Sequence, residues 1–189
     1  TEEAHGYLAG THIRDKDAAV AAMLLAEFAA ELKQLGKTLW QELQSIYQRI
    51  GCFQERSFAV TLPGADGMDR MQRVIAAFRT NPPTKLGDCT VTQVRDYAQS
   101  TIRLLDPPPI DNALKPLSGP KADMMFFDLN LPGHMVAMRP SGTEPKLKFY
   151  LFSELPPKSS QDVPTAVAVL QQRLVRIEQD LHTLVNAIA

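Results

Sequence analysis

Between Met124 and Phe152 the chain reads MMFFDLNLPGHMVAMRPSGTEPKLKFYLF. Two apolar runs, Met124–Leu129 and Met135–Met138, flank Asn130-Leu131-Pro132-Gly133, the residue types that a hairpin turn requires. A third run, Lys146 to Phe152, alternates. Lys146, Lys148 and Tyr150 fall on one face of it, and Leu147, Phe149 and Leu151 on the other. Strands joined this closely predict antiparallel neighbours.

Working outward, Phe58, Val60 and Leu62 alternate with Ser57, Ala59 and Thr61, and Pro63-Gly64 closes that strand. A helix is predicted over Asp66–Arg79 with Met68, Met71, Ile75 and Phe78 inward. Thr90 to Tyr97 alternates again, although Val91 and Val94 are out of phase for a regular strand. Asp106-Pro107-Pro108-Pro109 interrupts the chain, and the run to Pro120 reads as a surface loop. Asp162 and Pro164 open a long last helix whose stripe is Val167, Leu170, Leu174, Ile177, Leu181, Leu184 and Ile188. Strands and helices mixed in this way predict an α+β fold, an antiparallel sheet with helices on one face, and not a doubly wound parallel sheet.

Before Gly51 the character is different. Asp15 is placed to cap a helix, and Ala21, Leu25, Phe28, Leu32 and Leu35 share one face of it. The alanine-rich stretch Ala18–Ala30 reads as a buried helix, and Gly36 stands where a C-terminal glycine belongs. Thr38-Leu39-Trp40-Gln41 fits a capping box for a second helix that buries Leu39, Leu43, Ile46 and Ile50. The predicted organisation is therefore residues 1–50 as one portion and 51–189 as a domain.

Composition narrows the function classes. Of 189 residues, 44% are hydrophobic, enough for a real core, and the net charge of −1 offers no basic field for nucleic acid. Ala18–Ala30 is too short to cross a bilayer and contains Glu27, so no membrane association is expected. Cys52 and Cys89 lack metal or redox spacing and read as two free thiols in a reducing cytoplasm. A chain opening on Thr1 in loop-like sequence, with no secretory signal, is expected to be a fragment, and a processed terminus would read the same.

The chemistry concentrates in Arg139-Pro140-Ser141-Gly142-Thr143-Glu144-Pro145-Lys146. Arg139 can give a phosphate two charge-assisted hydrogen bonds, and Ser141 and Thr143 can donate from hydroxyls. Gly142 allows backbone N–H groups to approach and form an anion nest. Pro140 and Pro145 stiffen the loop. Lys146 and Lys148 either add positive potential or lie on a solvated face. Composition alone fits an ordinary turn beside a surface arginine equally well. The GxxxxGK[ST] pattern is missing and a strand follows, so no nucleotide triphosphate site is indicated.

Arg139-x-Ser141-Gly142-Thr143-Glu144-Pro145-Lys146 resembles the phosphate-binding loop in the C-terminal domain of the α-D-phosphohexomutases, the phosphoglucomutase/phosphomannomutase family. Glu2-Glu3-Ala4-His5-Gly6-Tyr7, followed by His12-Ile13-Arg14-Asp15-Lys16-Asp17, is similar to that family's sugar-recognition loop. Ala4 stands where many members carry serine, a form similar to the branch that includes phosphopentomutases. Taken alone, Glu2 and Glu3 could be a solvated acidic pair and Lys16 a surface lysine.

The resemblance implies specific roles. Arg139, Ser141, Gly142 and Thr143 would hold the substrate phosphate with Lys146 and Lys148 beside them. Glu2 and Ala4 would lie at the sugar, with Glu2 accepting from its hydroxyls, and Lys16 would assist phosphoryl transfer. It implies a TATA-binding-protein-like C-terminal domain over 51–189, preceded by the sugar-recognition loop and last helices of the third mutase domain. Neither the family's phosphorylated-serine loop nor its Asp-Gly-Asp-x-Asp-Arg magnesium loop occurs here, and Asp66 with Asp69 is no substitute. Magnesium is thus implied for a full-length parent and none for this chain alone, which is expected to be inactive. The implied partners are sugar monophosphates and bisphosphates and the missing N-terminal domains. The alternative is a free-standing, non-catalytic phosphosugar-binding or interaction module.

Overall fold

The computed structural model describes residues 7–11, 14–106, 108, 113–156 and 162–189. The chain divides into two compact units, Thr1–Arg49 and Ile50–Ala189.

Helix α1 (Ala18–Gln34) starts after Asp17, whose carboxylate accepts from the N–H groups of Ala19 (2.8 Å) and Val20 (3.3 Å). The cap lies two residues beyond the predicted Asp15. A backbone bridge between Tyr7 and Asp17 keeps the chain extended up to Asp17, and the Asp15 carboxylate accepts from the Lys16 N–H. The far end follows prediction. Gly36 adopts φ +68°, its N–H donates to the Lys33 carbonyl (3.1 Å) and the Lys37 N–H to the Leu32 carbonyl (2.9 Å). Helix α2 (Leu39–Ile50) begins with the predicted capping box, Thr38 N–H to Gln41 Oε1 (2.8 Å) and Gln41 N–H to Thr38 Oγ1 (3.2 Å).

Burial in these helices overturns the sequence reading. Leu32 is the one buried residue of α1, while Leu25 and Phe28 are 55% and 41% exposed, and Leu35 is exposed too. In α2 Leu43 and Ile46 are half-buried and Leu39 and Ile50 are exposed. The stretch Ala18–Ala30 is not a buried helix. Periodicity identifies an apolar stripe, but only a second layer buries it, and among the described residues this unit offers no sheet to do so.

The second unit holds the core. Its strands are β1 (Cys52–Thr61), β2 (Lys85–Leu86), β3 (Cys89–Asp96), β4 (Thr101–Leu104), β5 (Lys115–Pro116), β6 (Met125–Leu129), β7 (Met135–Pro140) and β8 (Lys146–Leu155). They form an antiparallel sheet in the order β1-β8-β7-β6-β3-β4-β5, with β2 paired to β3. Helices α3 (Gly67–Thr80) and α4 (Val163–Ile188) cover one face. The α+β architecture is as predicted.

Alternation explains which face is covered. In β8 Leu147, Phe149 and Leu151 are buried, and Lys146, Lys148 and Tyr150 are half-buried on the other side. Met71, Val74, Ile75 and Phe78 of α3 close on them, Phe78 meeting Phe127 edge-on at 5.7 Å. Met68 points out instead of in, because the buried set Met71-Val74-Ile75-Phe78 already completes the helical face. Asp162 caps α4 through the Thr165 N–H (3.2 Å). The buried line of α4 runs Val163, Ala166, Leu170, Leu174, Ile177, Leu181 and Val185, so the predicted Val167, Leu184 and Ile188 flank it.

The odd phase of Val91 and Val94 has a cause. The β3–β6 register shifts between Val91 and Gln93, a bulge that turns both valines to the helices although they are an odd number apart. Strands β2, β4 and β5 are too short to carry a pattern, and β5 lies inside the segment predicted as a loop. The β3–β4 turn is organised by buried Asp96. Its carboxylate accepts from the N–H groups of Ala98 (2.9 Å) and Gln99 (3.2 Å) and from Arg79 Nε (2.9 Å). Both cysteines are free and buried.

Candidate phosphate-binding site

The Arg139–Lys146 segment is the connection from β7 to β8. The ladder continues to Pro140 opposite Leu147, and the Ser141 N–H donates to the Lys146 carbonyl (2.8 Å) to close the loop. A further bond from the Lys146 N–H to the Glu144 carbonyl (2.7 Å) tightens its descending limb. On the β1 side, the Leu62 N–H donates to the Pro145 carbonyl (2.8 Å). Both proline positions are thus tied to regular structure, and the tip between them is left outside the ladder.

At the foot of this loop Arg139 faces Lys148 across the two strands, on the face not covered by helices. Like charges directly opposite on a ladder destabilise it. Among the described residues no carboxylate pairs with either group; Lys146 alone has one nearby, Glu144 at 3.7 Å. The hydroxyls of Ser141 and Thr143 and the N–H groups of Gly142, Thr143 and Glu144 make no hydrogen bond within the described residues. One hairpin end therefore presents a guanidinium, an ammonium, two hydroxyls and three consecutive amides, all available for an outside acceptor.

Gly142 brings no left-handed turn to this loop. No residue from Arg139 to Pro145 has positive φ, so the loop does not form a nest of alternating hand. A Cβ built on Gly142 meets nothing within 4 Å, so nothing in the chain itself demands glycine there.

Of the remaining predicted site residues, Glu2 and Ala4, like the neighbouring His5 and His12, lie outside the described residues. Lys16 is exposed in the first unit, immediately before the α1 cap. His134 is buried away from the loop tip: Nδ1 donates to the Pro132 carbonyl (2.9 Å) and Nε2 accepts from Arg173 Nη1 (3.0 Å). Burial holds its pKa below the usual histidine value, with the Arg173 charge acting in the same direction and the Pro132 hydrogen bond opposing. Arg173 in turn pairs with Asp88. Among the described residues, no group of three or more His, Cys, Asp or Glu could hold a metal ion. No described helix is long and apolar enough to cross a membrane.

No protein-family model matches the chain. The phosphoglucomutase of Staphylococcus aureus strain MRSA252 is 36% identical over 157 residues, covering 82% of this chain, and that of strain MSSA476 is 36% identical over 152 residues. The chain belongs to the α-D-phosphohexomutase family. It spans 27% of the length of the MRSA252 phosphoglucomutase and 26% of that of strain MSSA476. A crystal structure of pp63/parafusin, a Paramecium phosphoglucomutase in its open form, aligns over 88% of this phosphohexomutase chain and 28% of its own, at 17% identity. Its TM-score of 0.42 is too low to bear on the fold.

Sequence reasoning found the loop of this phosphohexomutase chain but not what holds it. The apposition of Arg139 and Lys148 depends on the β7–β8 register, and the support under Pro145 depends on α3, far away in sequence.

Proposed function

We propose that this chain is the substrate-phosphate grip of a phosphosugar mutase that moves a phosphoryl group between C1 and C6, or C5, of a sugar phosphate through a bisphosphate. The supporting observation is the apposition of Arg139 and Lys148 with, among the described residues, no carboxylate paired to either. A dianion between them removes their repulsion and accepts from the Ser141 and Thr143 hydroxyls and the loop amides. In this reading Lys146 and Lys148 supply potential and Arg139 supplies the two-pronged contact. Residues 1–50 are then the end of the third mutase domain, with Glu2 and Ala4 at the sugar and Lys16 near the transferring phosphoryl group. Residues 51–189 are the C-terminal phosphate-binding domain.

The apolar, exposed stripe of α1 favours this reading over a free-standing module, since it is a face suited to a further layer. The serine and magnesium chemistry belongs to the remainder of the cytoplasmic parent, and Lys16 assists it from this chain. The chain alone accordingly turns over no glucose 1-phosphate, and measurable turnover by a pure preparation would refute that. In the parent, Lys16→Met lowers kcat while KM stays within a few-fold; an unchanged kcat returns Lys16 to an ordinary surface charge.

Calorimetric titration of the chain with a sugar monophosphate tests the grip. Arg139→Ala weakens binding by about 1.5–3 kcal/mol, the range for hydrogen bonds to charged groups. Arg139→Lys restores part of that, because charge returns without the planar fork, and Ser141→Ala costs about 1 kcal/mol. Binding by Arg139→Ala equal to that of the unaltered chain defeats the proposal.

A further inference from the structure

The phosphate loop is not self-supporting. Its last residue before β8, Pro145, rests on the first turn of α3, and the contact is made at Gly67. A Cβ on Gly67 would come 2.1 Å from the Leu62 carbonyl oxygen and 2.9 Å from Pro145 Cβ. Both distances are below any that a real Cβ tolerates, and the first obstacle is backbone, which cannot rotate away.

The backbone of Gly67 does not explain the glycine, because its φ is not positive. What requires it is closeness. Leu62, whose carbonyl lies against Gly67, uses its own N–H on the Pro145 carbonyl (2.8 Å). Thr61, the residue before it, is the register partner of Lys146. One seam thus joins the end of β1, the start of α3 and the descending limb of the loop. The turn between β1 and α3 has little slack to relieve a clash, since the Gly67 N–H donates to the Gly64 carbonyl (3.2 Å) and Arg70 Nη1 to the Pro63 carbonyl (3.3 Å).

We infer that Gly67 is a positioning residue for the phosphate grip: by letting α3 close on Leu62 and Pro145, it sets the height of the Ser141–Glu144 tip above the Arg139–Lys148 pair. Added bulk at Gly67 must move either α3 or the Leu62–Pro145 seam. Pro145 is the softer side, because it is only half-buried, whereas Leu62 and the α3 residues Met71, Val74, Ile75 and Phe78 lie in the core. A displaced Pro145 shifts the loop amides and hydroxyls relative to Arg139, and small displacements of this kind are expensive for hydrogen bonds to an anion.

This inference rests on the proposed phosphate site, and the experiment separates the two. The full chain and its variants are titrated with inorganic phosphate by chemical-shift mapping, and each is melted in parallel. Gly67→Ala is expected to weaken phosphate binding about tenfold. Leu170→Ala serves as the reference for plain loss of stability. It lies in α4 beside Gln171, which bonds Gln54 opposite Ser153, at the far end of β8 from the loop. That variant is expected to lose at least as much melting temperature and to bind phosphate as the unaltered chain does. If Gly67→Ala does not fold, Pro145→Ala decides, since it removes the ring that Gly67 faces and is expected to cost about threefold in affinity. Unchanged affinity in whichever of these two variants folds overturns the inference and leaves the grip intact. A loss shared equally by Leu170→Ala also overturns it, since affinity then follows stability. Absence of phosphate binding by the unaltered chain overturns the grip itself, and the role of Gly67 with it.

Discussion

The two units follow the same local rules and reach opposite outcomes. In the first, helix ends are completed as well as any in the molecule, by the Asp17 cap, the Gly36 closure and the Thr38–Gln41 box. Yet Met23, Leu24, Leu25, Phe28 and Trp40 stay exposed. In the second, Asp66 makes no side-chain cap for α3, and that helix nevertheless buries Met71, Val74, Ile75 and Phe78. Local hydrogen bonds determine where a helix starts and stops, whereas burial requires a second surface. A well-capped helix can therefore remain half-finished, and a poorly capped one can be part of a firm core.

The largest test of this contrast is stability. Phe149→Ala, which empties a fully buried site stacked on Phe58 at 5.0 Å, should cost about 3–5 kcal/mol in denaturant unfolding. Leu25→Ala in the same chain should stay within about 0.5 kcal/mol, as an exposed substitution does. In a full-length parent that covers α1, the same Leu25→Ala should rise to about 2–5 kcal/mol. Equal values for Leu25→Ala in chain and parent would mean that the stripe is never covered.

A smaller effect sharpens the other side. Thr38→Ala removes the half of the α2 box in which the Thr38 hydroxyl accepts from the Gln41 N–H, and should cost about 1 kcal/mol of helix stability. Because that cap is local, hydrogen exchange should quicken in α2 and not in the sheet. Quickening that spreads through the second unit would show the two to be one cooperative body.

The smallest effect is a pH response confined to the second unit. His134 has its folded pKa below the unfolded value of about 6.5, so the unfolded chain binds the extra proton first as pH falls. Its contribution is complete above about pH 6.5 and declines as pH drops from there toward the folded pKa. Asp88 also has a lowered pKa: burial raises it, but the hydrogen bond and charge of Arg173 outweigh that. Its contribution is lost only in the carboxylate range, so the two are separable. His134→Gln should flatten the stability profile between pH 7 and 5. An unaltered slope would remove the buried His134 as its cause.

Legibility from sequence divides along the same line. Helix ends could be read because Gly36, Thr38 and Gln41 act over a few residues. Strands β6, β7 and β8 could be read because their alternation persists. The bulge in β3 left a trace, the phase error of Val91 and Val94, but nothing in the sequence said which residue was extra. Strands β2, β4 and β5 gave no pattern because two to four residues are too few to show a period. At the candidate site the loop was legible as chemistry. The facing of Arg139 by Lys148 and the seating of Pro145 on Gly67 were not, since each depends on partners that the fold brings from elsewhere.

The sheet order has one more consequence, in time. Strand β1 is made first among the strands and pairs with β8, which is made last. On an elongating chain β1 must therefore wait, with its strand partner β8 not yet made, until nearly the whole unit has left the ribosome. Closing so long a loop is entropically slow. Thr61–Lys146 and Leu62–Pro145 belong to that final pairing. The loop is thus seated in the last act of folding, and a truncated or stalled chain would hold every residue of the loop without its shape.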